Sequence, residues 1–295
     1  MFQGHNPSQQ AFDWYCHRIG VTEGDRVAAA VELREPVKKL RDDYREPFGK
    51  NFAYGNIIFQ HSYLVAYFPY YIEPLYRVLR SADIPQSLFS EGKIEVSFFG
   101  GGPCPESLGL AAYLKEKAPE LQVVDVKIFD REYSWSSIQQ KLLPQMFPEY
   151  GFDKTAFSVH SCGCNVLRCD AKKCHNRLAV VDSRIIVAQN FLSEVQTDAE
   201  KAINTFAGII RRSKCRYLVF IENNYDENKG LLGKINQHFY QQNLSNGLAK
   251  INYDEIRPDI ELPEVLRRHL FTWEDGLKPK KNVKYHSMVI EIARS

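Results

Sequence analysis

From residue 93 onward, short apolar runs alternate with stretches whose apolar positions recur every three to four residues. Such alternation predicts βαβ units wound into a parallel sheet. The runs place strands at 94–99, 123–129, 156–159, 184–189, 217–221, 250–256 and 284–293, and helices at 106–117, 135–146, 199–212 and 233–242. In the third of these helices Ala202, Phe206, Ile209 and Ile210 fall on one side, as an amphipathic helix on a sheet requires. Before residue 93 the texture is helical. Residues 27–44 carry apolar positions at helical spacing among many charges, and 54–80 are rich in tyrosine and phenylalanine, with Pro69 and Pro74 bending or dividing them. The expected organisation is a helical extension or lid over 1–92 and an α/β Rossmann-like domain over 93–295, with seven strands and helices on both faces.

Composition narrows the classes. A hydrophobic share of 44% and a charged share of 25% suit a chain that buries an ordinary core. The net charge of +2 advertises no global field for nucleic acid. No apolar run approaches the roughly 20 residues that span a bilayer, and 57–79, the strongest candidate, is interrupted by Gln60, His61, Pro69, Glu73, Pro74 and Arg77. The polar N-terminus lacks the apolar core of a secretory signal. A cytoplasmic or nuclear location without a membrane partner is therefore the expectation. With seven cysteines, an odd number, four of them crowded into one short segment, thiols or metal ligands are expected in place of a disulfide framework.

The first strand runs into Phe99-Gly100-Gly101-Gly102-Pro103-Cys104-Pro105. A glycine-rich strand-to-helix turn allows close backbone approach to a ligand and leaves N–H groups and a helix N-terminus facing it. Pro105 and Glu106 suit a first helical turn. Asp130 ends the second strand, where a carboxylate can accept both ribose hydroxyls of an adenosine. An ordinary tight turn and a solvated strand-end Asp are the alternatives.

The glycine loop, Asp130 and the segment Ile185-Ile186-Val187-Ala188-Gln189-Asn190-Phe191-Leu192-Ser193-Glu194 resemble the first, second and fourth motifs of class I S-adenosylmethionine-dependent methyltransferases. The likeness covers roughly 93–295. Phe-Gly-Gly-Gly-Pro and Leu-Ser-Glu look most similar to a subset with rRNA methyltransferases and the mitoribosomal Rsm22-type proteins. The resemblance implies a seven-stranded methyltransferase sheet whose last strand is antiparallel. It also implies S-adenosylmethionine bound by Phe99, Gly100, Gly101, Gly102, Asp130, Arg131, His160 and Gln189, with Asn190 and Glu194 beside the methyl acceptor. Glu194 is read either as a base or as a helix-capping acid, and Glu222 either as a pocket residue or as a solvated strand end. Two positions depart from the family: Phe98 stands where an acid is usual, and Cys104 replaces the last loop glycine. A chain that keeps the fold without catalysis is thus the first alternative. A nicotinamide oxidoreductase is the second, disfavoured by Pro105 where the dinucleotide fingerprint wants glycine or alanine. The acceptor stays open among RNA, protein and small molecules.

Between 160 and 175 lie His160, Cys162, Cys164, Cys169, Cys174 and His175. Thiolates at such spacing suit zinc, with iron–sulfur as the alternative, and the four cysteines are the expected ligands. Small buried hydrophobes are the competing reading, with Cys162 and Cys164 continuing the third strand. Of the basic clusters, Arg211, Arg212, Lys214 and Arg216 fall at a helix C-terminus away from the cofactor edge. Lys278, Lys280, Lys281 and Lys284 lie in a loop that returns to that edge if the last strand is antiparallel.

Overall fold

The computed structural model describes residues 6–45, 54–152, 156–168, 180–272 and 277–294. Its centre is a seven-stranded sheet: β1 (Lys93–Phe99), β2 (Val123–Asp130), β3 (Phe157–Gly163), β4 (Ile185–Gln189), β5 (Tyr217–Asn223), β6 (Ile251–Ile256) and β7 (Val283–Glu291). The spatial order is β3-β2-β1-β4-β5-β7-β6. Strands β1 to β5 pair in parallel, and β7 runs antiparallel between β5 and β6. The antiparallel ending expected from the sequence is therefore present. The parallel finish of a dinucleotide-binding fold is not.

Side-chain alternation along the strands feeds two cores. Val96, Phe98, Ile185 and Val187 point to one face; Phe99, Ile186 and Ala188 point to the other. Helices α6 (Glu106–Lys117), α7 (Ser136–Lys141) and α8 (Leu143–Met146) cover the first face beside β1 and β2. Helices α10 (Ala199–Arg212) and α11 (Asp226–Gln241) cover the second, with the short α9 (Leu192–Val195) at its edge. The side of the crossovers thus changes between β1 and β4.

The first face is completed from the N-terminus by α1 (Pro7–Arg18), α2 (Arg26–Glu32), α3 (Arg34–Arg45), α4 (Ile57–Ala66) and α5 (Glu73–Ser81). Phe12, Leu64, Phe68 and Leu75 belong to the same core as Val96 and Ile128. Local chemistry sets two starts. Asn6 caps α1 by accepting from Gln9 N–H at 2.8 Å, with Pro7 as the first helical residue, and Asn56 caps α4 by accepting from Ile58 N–H at 2.8 Å. Helix α5 meets α6 at Gly109, where a Cβ would stand 2.2 Å from the Ile72 carbonyl oxygen. Glycine is what permits that approach.

Three elements differ from expectation. Strand β3 continues past 159 to Gly163, so Cys162 is a strand residue paired with Phe129. The expected helix at 135–146 is divided at Leu142, two residues before Pro144, which cannot donate to the helix ladder. Helix α11 begins at Asp226, not 233, its first turns being polar.

Candidate functional site

At the β1/β4 switch the connections leave the two paired strands toward opposite faces of the sheet, which opens a crevice above their C-terminal ends where ligands bind in open α/β sheets. One lip is the turn after β1. Gly100 and Gly102 take left-handed φ values of 64° and 49°. A Cβ on Gly100 would lie 2.4 Å from the Phe191 ring, and one on Gly101 would lie 2.8 Å from Ile128 Cγ2. Cys104 also sits in the left-handed region, at 56°, fully buried, with its N–H bonded to the Gly101 carbonyl. The cysteine thus holds the backbone shape that a glycine would take without steric cost.

Asp130 ties this lip to β2. Its two carboxylate oxygens accept the Gly102 N–H and the Glu132 N–H, each at 2.8 Å. Burial raises its pKa, against the lowering effect of those two bonds. The organising carboxylate that Phe98 does not supply is therefore supplied from the neighbouring strand. Phe98 itself lies in the core.

The other lip follows β4. Asn190 turns through a left-handed φ of 56°, which aims the next two N–H groups at Glu222. One Glu222 oxygen accepts from Phe191 N–H at 2.9 Å and from Leu192 N–H at 2.8 Å. Glu222 is fully buried, and burial pushes its pKa up to about 8. It is neither a pocket wall nor a solvated strand end: it holds the β4 loop in place. Gln189 donates to the Tyr71 carbonyl at 2.8 Å, while its buried Oε1 has no partner.

Two cavities meet here. The larger, about 570 Å³, lies between the lips and under the N-terminal helices. Its walls include Gly100, Gly101, Gly102, Glu106, Asp130, Arg131, Gln189, Asn190 and Glu194. Its roof is aromatic and partly basic: Tyr44, Tyr54, Tyr63, Tyr67, Tyr71 and Trp135, with Arg41, Lys278 and Lys280. The smaller, about 410 Å³, lies beyond Asp130 toward the end of β3, with Cys164, Asn165, Val166 and Leu167 on its far wall. Gly100, Asp130, Arg131, Ser193 and Glu194 line both.

Charge in the large cavity is segregated. Burial raises the Glu106 carboxyl to about 8 and Glu194 to about 7, and repulsion from Asp130 adds to each. For Glu194 the Tyr54 hydroxyl, donating at 2.5 Å, works in the opposite direction. On the roof, burial and then Arg41 lower the Lys280 ammonium to about 8.

Of the sequence-predicted residues, the three glycines, Asp130, Arg131, Gln189, Asn190 and Glu194 come together here. Phe99 does not line either cavity; its ring stacks on Phe129 at 4.9 Å in the second core. His160 is exposed in mid-β3 and lines neither cavity. Its imidazole lies short of the strand end, where Asn165 to Leu167 occupy the expected adenine side. Cys162 and Cys164 are partly buried, whereas Cys169, Cys174 and His175 lie outside the described residues. Among the described residues, no group of three or more His, Cys, Asp or Glu is placed to hold a metal. Among them also, no helix is long and apolar enough to cross a membrane.

Sequence reasoning missed Glu106 as a wall residue; it read 54–80 as a tyrosine-rich part of the extension or lid, without singling out the ladder in it. Tyr63, Tyr67 and Tyr71 are spaced four residues apart. Their rings stack in series, with centroids 5.5 and 6.4 Å apart. That spacing was the available signal.

The strand order and the antiparallel β7 are those of the Rossmann-like methyltransferase fold, and the glycine lip faces an acid at the end of β2. No family model matches the sequence, and neither does any curated protein. Among solved structures the chain is similar to a human methyltransferase 10 domain containing protein, at 9% identity and TM-score 0.42, over 91% of this chain and 97% of that one. It is also similar to 16S rRNA methyltransferase KamB, at 11% identity and TM-score 0.38, over 71% and 92%. A third likeness is to precorrin-6y C5,15-methyltransferase from Geobacter metallireducens, at 7% identity and TM-score 0.37, over 70% and 87%. None of these bears on the narrower likeness to Rsm22-type proteins.

Proposed function

We propose that this protein transfers a methyl group from S-adenosylmethionine to an acceptor held under the N-terminal helices. The observation that carries the reading is the acid-lined crevice at the β1/β4 switch. Glu106, Asp130 and Glu194 border the glycine lip, and a sulfonium cofactor with an α-ammonium is cationic where a dinucleotide's pyrophosphate is anionic. A cation beside these carboxyls draws them toward their charged form and is attracted by it, whereas a pyrophosphate is repelled by that form.

The paired cavities fit the parts of this cofactor. Adenosine suits the smaller one, between Arg131 and the Val166–Leu167 wall, with Asp130 at the ribose. The methionine end suits the glycine lip and the unpaired Gln189 Oε1. When bound, S-adenosylmethionine supplies an electrophilic methyl carbon. The chain's own part is to orient the acceptor, exclude water with the tyrosine roof, and receive a proton at Glu194. Residues 1–92 act in this reading as the lid over the domain formed by 93–295.

The two family departures do not close the site, because Cys104 keeps the loop's backbone shape and Asp130 secures it. Calorimetry with S-adenosylmethionine and with NAD tests the cofactor, and a labelled-methyl screen across RNA, protein and metabolite pools tests transfer. Binding of NAD in place of S-adenosylmethionine would overturn the reading. Binding of S-adenosylmethionine without transfer to any pool would favour the non-catalytic alternative.

Zinc on Cys162, Cys164, Cys169 and Cys174 is a separate proposal. It is supported by the position of Cys164 on the wall of the smaller cavity and by the spacing of the cysteines. Elemental analysis of untagged protein decides it, and less than a tenth of an equivalent of zinc and iron would reject it.

A further inference from the structure

The roof of the large cavity holds a feature that methyl transfer alone does not require. Lys280, on the loop entering β7, drives its ammonium among aromatic rings. Nζ lies 4.4 Å from the Tyr71 ring centroid and 5.6 Å from that of Tyr67, and it donates to the Tyr71 hydroxyl. Burying an ammonium is costly unless a partner compensates. The charged group with the largest effect on it is Arg41, another cation, which also lines the cavity. Arg41 already donates to the Lys278 carbonyl, so the group prepared for an anion is the Lys280 ammonium, held by ring faces and a hydroxyl in the field of a second cation.

A second observation lies at the other end of the same tyrosine. The Tyr71 carbonyl accepts from Gln189, which lines the cavity and whose buried Oε1 has no hydrogen-bond partner. One tyrosine therefore spans from the cationic corner to the end of β4. Across from Gln189 stands Glu194, held by Tyr54.

We propose that the methyl acceptor is a small planar acid, an aromatic or heteroaromatic ring bearing a carboxylate or phosphate. Its anionic group docks on Lys280 in the field of Arg41, its ring lies along the tyrosine ladder, and its protonated nucleophile faces Gln189 and Glu194. This rests on the methyltransferase reading given above. In the transfer, a lone pair on the acceptor's oxygen or nitrogen forms the bond to the methyl carbon of S-adenosylmethionine as the carbon–sulfur bond breaks. The electron pair of that bond stays on sulfur, giving S-adenosylhomocysteine, and the acceptor's proton passes to the Glu194 carboxylate. A planar body suits the edges of the stacked tyrosines, and the volume of about 570 Å³ suits a free small molecule.

The test is calorimetric binding to the full chain, with and without S-adenosylhomocysteine. The probes are 4-hydroxybenzoate, phenyl phosphate, phenol and inorganic phosphate. The expected result is that at least one aromatic acid binds tenfold or more tighter than both phenol and inorganic phosphate. Whichever acid is preferred identifies the anionic group. Lys280→Met should abolish the preference and Lys280→Arg should retain most of it. Both variants should bind S-adenosylhomocysteine as the parent does and unfold within a few degrees of it. Equal binding of phenol and the acids overturns the proposal, as does binding of inorganic phosphate as tight as the acids, or an unchanged preference in a folded Lys280→Met. Failure of S-adenosylhomocysteine to bind, with the acid preference intact, would instead overturn the cofactor reading and leave the anion site standing.

Discussion

The Tyr54 hydroxyl donates a 2.5 Å hydrogen bond to the Glu194 carboxylate, joining the segment before α4 to the short helix α9 after β4 at the large cavity. The bond favours the charged carboxylate and so opposes the burial that pushes Glu194 up to about 7. In the proposed reaction Glu194 must be ionised to receive a proton. Removing the hydroxyl in Tyr54→Phe therefore raises the Glu194 pKa further and moves the acidic limb of the kcat–pH profile to higher pH. Glu194→Gln should lower kcat by about 10²–10⁴-fold and leave S-adenosylhomocysteine affinity within a few-fold. Steady-state rates from pH 5.5 to 9 check both. A Tyr54→Phe profile coincident with the parent would remove Glu194 from the proton path.

Asp130 has two duties, and its variants separate them. It accepts the Gly102 and Glu132 N–H groups, and it stands where the ribose hydroxyls are proposed to bind. Asp130→Ala leaves the two N–H groups without that acceptor and should cost about 1–3 kcal/mol of stability. Asp130→Asn keeps one acceptor oxygen and should cost less. Both should weaken adenosine-ligand binding tenfold or more, because each removes the charge that strengthens a hydroxyl bond. Thermal unfolding and calorimetry read the two effects apart. Unchanged affinity in folded Asp130→Asn would confine Asp130 to holding the loop.

The parts legible in the sequence are those set by short-range pattern. The helices 106–117 and 199–212 stand as read, because Glu106–Lys117 and Ala199–Arg212 carry their periodicity over several turns. The end of β3 was legible only as the alternative in which the cysteines continue the strand, which holds for Cys162. As an edge strand it pairs only with β2, and its last residues are partly exposed, so no buried run marks it. The opening turns of α11 were hidden by Asp226, Glu227, Asn228 and Lys229, although buried Asn228 bonds the Asn223 carbonyl at 3.0 Å and closes the turn from β5. In the site, Gly100 to Gly102 and Asp130 were legible because each directly follows or ends a strand. Lys280 and Tyr71 lie more than two hundred residues apart, and only the antiparallel return of β7 brings them together.

Glu106 gives the cavity a pH signature. Burial raises its carboxyl from 4.5 to about 8, so the native state holds a proton that the unfolded chain has released across that interval. Stability linked to this group is fully present below pH 4.5 and is lost as pH rises toward 8. Glu222, also raised to about 8, adds in the same direction. The melting temperature of the parent should therefore fall between pH 5 and 8. Glu106→Gln, neutral throughout, should flatten part of that slope and melt several degrees above the parent at pH 8. A parallel slope in the variant would show that Glu106 is already ionised at pH 5.

Gly109 tests whether the N-terminal helices are integral to the fold or merely rest on it. A methyl group there would stand 2.2 Å from the Ile72 carbonyl oxygen and 3.3 Å from the Tyr76 nitrogen, both backbone atoms that no rotamer change can move. The start of α5 must then shift away from α6. Tyr71 directly precedes this junction and carries both the Gln189 contact and the Lys280 contact. Overpacking of this kind costs about 1–3 kcal/mol, which outweighs the few tenths to one kcal/mol that alanine gains over glycine in a helix. Gly109→Ala should therefore lower the melting temperature by several degrees. It should also weaken the binding of aromatic acids more than that of S-adenosylhomocysteine, because the roof moves while the glycine lip and Asp130 stay in place. Equal weakening of both ligands would mean that the helices and the cofactor lip move as one body. Gly233, exposed space around which would admit a Cβ without any contact within 4 Å, supplies the control: Gly233→Ala in α11 should be neutral or mildly stabilising.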